Sequence, residues 1–235
     1  MLEEIRRDIR VARERDPAEP TTLEVILTYP GVHAVWGYRI SHWLWQRGAR
    51  LVARALGELT RILTGVDIHP GARIGPGLFI DHATGVVIGE TAEVGEDVTI
   101  FHGVTLGGTG RDRGKRHPTI GDRVTLGAGA KILGAIKIGE DSRIGANSVV
   151  VKEVPASAVV VGVPGQIVSR PESDAEDESK LPDLVGVSLK SLLTRVARLE
   201  SNRSGTQNGK QPDASGDRVI RPPEAGVWYG EDFSI

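Results

Sequence analysis

The chain contains no cysteine. That absence excludes disulfides, thiolate metal sites and a cysteine nucleophile. Aromatic residues make up only 4% of the 235 positions, against 30 glycines, a balance that favours thin repeated layers over one bulky core. Excess charge of either sign is also lacking. With a formal net charge of -2, neither nucleic acid nor an anionic membrane surface is an expected partner. No run of about 18 apolar residues occurs, so no membrane span is expected. Met1 to Arg15 is a dense mix of charges without an apolar segment; no signal peptide is expected, and the cytoplasm is the expected location. A hydrophobic content of 39% still suffices for a core.

Three regions differ in pattern. Residues 1–65 read as a helical domain. Leu2, Ile5, Ile9 and Ala12 fall at spacings of three and four before Asp16-Pro17 stops the helix. Thr21 and Glu24 have the spacing of a capping box. After the break at Tyr29-Pro30-Gly31, amphipathic stretches run through Val35, Trp36, Ile40, Trp43 and Leu44, then through Leu51, Ala55, Leu59 and Ile62.

Residues 66–170 follow another rule. A branched aliphatic recurs every sixth position: Ile68, Ile74, Ile80; Ile88, Val94, Ile100, Leu106; Ile120, Leu126, Ile132, Ile138, Ile144 and Val150. A period of six suits neither an ordinary strand nor a helix. It fits a parallel β-helix in which each hexad supplies one short strand with its aliphatic residue inward, and glycine takes corners where a Cβ would clash. Three faces of about six residues make a coil, so thirteen hexads give roughly four to five coils. Residues 171–235 form a C-terminal extension: a short helix expected at 185–199, a polar Pro/Gly-rich linker at 201–226, and a final cluster at 228–235.

The hexad register slips twice. Two extra residues separate Ile80 from Ile88, and eight separate Leu106 from Ile120. A strict repeat must expel such residues as loops, and loops on a rigid scaffold are where chemistry gathers. Both loops carry histidine: His82 in the first, His117 in the second.

Asp67-Ile68-His69-Pro70, the run from Asp81-His82-Ala83-Thr84-Gly85 to Gly89-Glu90-Thr91, and Gly107-Gly108-Thr109-Gly110 followed by Arg116-His117-Pro118 together resemble the serine O-acetyltransferase family of hexapeptide-repeat acyltransferases. The likeness extends into Tyr29-Pro30-Gly31-Val32-His33-Ala34 and Tyr38 to Leu44, and spans roughly residues 5–170. The resemblance implies a left-handed parallel β-helix preceded by helices, a homotrimer, and acetyl transfer from acetyl-CoA to the hydroxyl of L-serine, the step before cysteine is made. It also implies His82 as general base with Asp67 orienting its ring, and Asp16 and Asp81 on the substrate ammonium. Arg116 and His117 would hold the carboxylate, with the pantetheine arm near Gly108, Thr109, Ala128 and Ala146. No metal is expected. L-Cysteine is the feedback inhibitor implied, and O-acetylserine sulfhydrylase is the implied partner of a tail ending in Ile235. Longer helical domains in that family join two trimers into a dimer of trimers; the helical domain here is about half their length.

Physical chemistry supports those roles. A serine hydroxyl needs a base with a pKa near ambient, which imidazole supplies, and a zwitterion needs one anionic and one cationic clamp. A sugar or antibiotic acceptor within the same fold has no use for both clamps. A zinc γ-type carbonic anhydrase would instead draw His82, His102 and His117 together as ligands.

Overall fold

The computed structural model describes residues 2–110, 113–169 and Thr194, so the expected 185–199 helix apart from Thr194, the linker and the tail with Ile235 lie outside the described residues. Four helices come first: α1 (Leu2–Arg15), α2 (Thr22–Thr28), α3 (Pro30–Gln46) and α4 (Arg50–Thr64). The capping box is formed, with the Thr21 hydroxyl accepting from Glu24 N and the Glu24 carboxylate accepting from Thr21 N. Pro30 begins α3, where the missing N–H costs nothing. Gly65 closes α4 in the left-handed region at φ 74°.

The chain then winds into a solenoid with three flat faces. The first face stacks β1 (Asp67–Ile68), β4 (Val87–Ile88), β7 (Thr105–Gly107), β10 (Lys131–Leu133) and β13 (Val149–Val150). The second stacks β2 (Arg73–Ile74), β5 (Glu93–Val94), β8 (Thr119–Ile120) and β11 (Lys137–Ile138). The third stacks β3 (Phe79–Asp81), β6 (Thr99–Phe101), β9 (Thr125–Leu126), β12 (Arg143–Ile144) and β14 (Val159–Val161), closed by antiparallel β15 (Gln166–Ser169). All other pairings between these strands are parallel.

Register explains the period of six. Ile68, Ile88, Leu106, Ile132 and Val150 stand in one column, and Ile80, Ile100, Leu126, Ile144 and Val160 in another. Every residue of these two columns is buried. Each such side chain contributes about 1.5–3 kcal/mol relative to an exposed one, so the core is a column of methyl groups with no aromatic inside the coils. A Cβ on Gly121 would lie 2.6 Å from Glu140 N in the next coil, which is why glycine follows the aliphatic residue there. Left-handed residues turn the corner between the second and third faces in successive coils: Gly77, Asp97, Arg123, Asp141 and Ser157.

The helices are fastened to the first two coils. Arg15 donates to Thr99 Oγ1 (2.6 Å) and Asp97 O (2.8 Å), and Arg7 pairs with Asp97 at 2.7 Å. Gly31 presses α3 onto β3: a Cβ there would stand 2.1 Å from Ile80 O. On α4, the periodic apolar face read from the sequence points outward, with Leu51, Leu59 and Ile62 exposed beside Leu63. Among the described residues no helix is long and apolar enough to cross a membrane.

Candidate active site

The two expelled segments leave from different edges of the prism. The first, between β3 and β4, turns the edge joining the third face to the first; the second, between β7 and β8, turns the edge joining the first to the second. Site residues read from the sequence therefore fall into two groups.

The first group gathers around His82. His82 and Ala83 both lie in the left-handed region, at φ 54° and 48°, the conformation that also turns other corners of the coils. The His82 side chain is 75% exposed, and its Nε2 stands 4.0 Å from Asp81 Oδ2. The His102 ring meets it edge to face, centroids 5.9 Å apart. Asp16, just past the end of α1, is close enough for its carboxylate and His82 to feel one another's charge. Its Oδ1 accepts from Ala18 N (2.8 Å) and its Oδ2 accepts from the Tyr29 phenol. These bonds, the phenol's foremost, hold the Asp16 carboxyl below the usual carboxylate range. Along the same edge, Gly129 N donates to His102 O and Asn147 N to Ala128 O, so His102, Ala128 and Ala146 rise in line above His82.

The second group is built on Thr91. Its hydroxyl oxygen accepts from Arg116 N and His117 N, both at 3.1 Å. The same oxygen lies 2.9 Å from His117 Nδ1, which also accepts from Thr91 N at 3.2 Å. With Nδ1 accepting, the neutral ring carries its proton on Nε2. Burial, then the Arg116 cation, keeps the His117 pKa below its ordinary value. Arg116 Nη2 donates to Glu90 Oε2 at 2.5 Å, and that bond holds the Glu90 carboxyl low. Thr109 N donates to Arg116 O, which ties Gly108 and Thr109 to this group. A cleft of about 320 Å³ opens here, lined by Arg54, Asp67, His69, Glu90, Arg116 and His117 among others.

Asp67 thus faces the second group. Among the described residues no hydrogen bond or ion pair joins Asp67 to His82, although the His82 loop returns to β1 through Gly85 N to Gly65 O and Asp67 N to Val86 O. His82 and His102 share one edge, whereas His117 is held by Thr91 on the other, and no three His, Asp or Glu side chains converge as a metal site among the described residues. Sequence reading gave no role to Tyr29, Glu90 or Thr91. Glu90 and Thr91 lie within the recognised run, but only the folded loop shows what they bond.

A family model for the bacterial transferase hexapeptide, six repeats, matches residues 117–152. The chain is 72% identical over its full length, and over all of that protein, to a serine acetyltransferase of Mycobacterium tuberculosis. Among solved structures, soybean serine acetyltransferase complexed with serine is 51% identical, with 71% of this chain and 68% of that one covered at a TM-score of 0.69. A serine acetyltransferase in complex with cysteine is 47% identical, covering 72% of this chain and 70% of that one at a TM-score of 0.71. The Brucella abortus serine acetyltransferase in complex with coenzyme A is 48% identical, covering 72% and 68% at 0.69.

Proposed function

The chain belongs to the serine acetyltransferase family, and from that premise we propose that it moves acetyl from acetyl-CoA to L-serine by direct transfer with His82 as general base. The observation that carries this reading is the setting of His82: an exposed imidazole on a left-handed turn, 4.0 Å from Asp81 and within charge reach of Asp16. Two carboxylates beside a base suit a substrate whose ammonium and hydroxyl lie on adjacent carbons.

His82 takes the proton from the serine hydroxyl as its oxygen attacks the thioester carbonyl. The tetrahedral adduct collapses, expelling the coenzyme A thiolate, which receives that proton from the imidazolium. Asp67 stands with the Arg116 group, so it orients the His82 ring of an adjoining subunit and supports its charge, as a carboxylate does for a catalytic imidazole. Asp16 and Asp81 hold the ammonium. Arg116 spends one of its five N–H donors on Glu90 and keeps others for the substrate carboxylate, which the His117 Nε2–H also serves. Gly108 and Thr109 on one edge, Ala128 and Ala146 on the other, line the path of the pantetheine arm. L-Cysteine, serine with a thiol in place of the hydroxyl, inhibits by taking the same two clamps. An acetyl-CoA consumption assay over a panel of amino acids and sugars, with and without cysteine, tests this; a sugar preferred over serine refutes it.

The carboxylate and imidazole groups stand on one edge of the prism and the Arg116 group on another. A homotrimer that sets these edges against each other completes the site from two subunits, and the exposed Leu51, Leu59, Ile62 and Leu63 of α4 are a face that such contacts could cover. Mixing H82A and R116A proteins under conditions that exchange subunits, assayed at serine far below the raised KM of R116A, regenerates whole sites on this reading; no gain over the separate proteins counts against it. The tail ending in Ile235 docks the sulfhydrylase that consumes the product, its carboxylate captured as an amino acid's would be. Equal affinity of a 226–235 peptide with and without Ile235 would remove that proposal. The place of action is the cytoplasm.

A further inference from the structure

The phenol of Tyr29 is a polar group bonded to a site carboxylate, Asp16, and has no part in the mechanism above. Its ring packs against the cluster of Val11, Ala12, Val25, Val32 and Phe79, where the helices meet the first coil. Pro30 fixes the start of α3, and Gly31 brings the backbone against Ile80 O, so the position of Tyr29 relative to β3 is set by contacts that leave no slack. From there the hydroxyl reaches Asp16, and the ring lies near enough to Asp81 to feel its charge. Of the two carboxylates assigned to the ammonium, Tyr29 grips one and lies within charge reach of the other.

We infer that Tyr29 is a positioning residue for serine: its phenol fixes the Asp16 carboxylate in the orientation that receives the substrate ammonium beside His82. The inference rests on the reading of Asp16 given above. A carboxylate offers about four lone-pair directions. Ala18 N takes one on Oδ1 and the Tyr29 hydroxyl takes one on Oδ2, which leaves an anion held at both oxygens with room for an ammonium. Without the phenol, Asp16 would hang from a single amide at the mouth of a turn, free to rotate about χ2.

Protonation states agree with this geometry. Burial, with the bond to Asp16 and the charges of Asp16 and Asp81, pushes the Tyr29 pKa up to about 12. The phenol therefore keeps its proton, and stays a donor, throughout the working range. Asp16, held low, stays an anion there. Around this point stand His82, Asp81 and Asp16 from the coil edge and the end of α1, with Arg15 anchoring α1 to Asp97 and Thr99.

Steady-state kinetics of Tyr29→Phe, Asp16→Asn and the double variant test the inference. Phe keeps the packed ring, so the fold is retained and a thermal midpoint verifies it. The expected result for Tyr29→Phe is a serine KM raised on the order of tenfold, the scale of one hydrogen bond to a charged group. The acetyl-CoA KM should stay within about twofold of wild type. A purely structural role would move both KM values together. In the Asp16→Asn background the Tyr29 change should add less than about twofold, because its effect runs through the carboxylate. A serine KM for Tyr29→Phe within about twofold of wild type, with Asp16→Asn strongly impaired, overturns the Tyr29 role and leaves the Asp16 reading standing. An unimpaired Asp16→Asn overturns that reading and the inference with it. Full multiplication of the two effects would place Tyr29 on the substrate itself and also overturn the inference.

Discussion

Gly89→Ala tests whether the second half of the site is as tightly built as its distances indicate. Gly89 follows β4 with a backbone outside the left-handed region, so alanine meets no left-handed strain there. Space is the whole issue. An added Cβ would stand 2.0 Å from both Cδ2 and Nε2 of His117, about half an ordinary contact distance. The ring cannot swing away freely, since its Nδ1 is tied to the amide and hydroxyl of Thr91 and the residue is only 8% exposed. Overpacking of this kind costs about 1–3 kcal/mol, and breaking the Thr91–His117 bond adds about 1 kcal/mol. Together these amount to about 2–4 kcal/mol, or a thermal midpoint lower by about 4–16 °C. Calorimetry measures the midpoint, and the serine KM should rise as Arg116 follows His117. In a His117→Ala background the ring is gone, and Gly89→Ala should then cost under about 0.5 kcal/mol. An undiminished midpoint in the single variant, or an equal loss in both backgrounds, would refute the reasoning.

Two further outcomes follow from the same geometry. Arg116→Ala should raise the serine KM at least about tenfold, the scale of a charge-assisted bond to a carboxylate, and leave the acetyl-CoA KM nearly unchanged; parallel rises in both would make the 107–119 loop a general lid. Burial depresses the pKa values of His69 and His117 below the ordinary 6.5, so the unfolded chain binds more protons than the folded one below that pH. Their contribution to stability is present above about pH 6.5 and declines as pH falls below it. The urea midpoint should drop from pH 7.5 to 5.5, less steeply in His117→Gln, and a flat profile would contradict the depressed values.

The period of six was legible because every coil repeats one physical demand, an aliphatic side chain inward from each face. Ile68, Ile74 and Ile80 occupy three different faces, and the sequence spacing alone gave that order. The register slips located the loops for the same reason: a column of stacked aliphatics tolerates no extra residue. Which edge each loop leaves from depends on how the faces are counted around the axis. The separation of His82 from Arg116 therefore emerged only in the wound chain. Tyr29 was legible as part of a chain break before α3 but not as a partner of Asp16, because that bond joins two links between helices, where no periodicity runs. Thr91 has the look of any small residue at a coil corner, and only the return of the second loop shows its hydroxyl accepting two amides. The outward apolar face of α4 was read correctly as amphipathic, but periodicity cannot say whether such a face turns toward its own core or away from it.

The whole mechanism turns on His82 as the base. Its most direct test is turnover of the His82→Ala protein at saturating serine and acetyl-CoA, followed by thiol release, with coenzyme A affinity measured by calorimetry on the same sample. The expected kcat is lower by about 10²–10⁴-fold, the usual contribution of a positioned general base, with coenzyme A binding retained. Turnover close to that of the unaltered enzyme would contradict it.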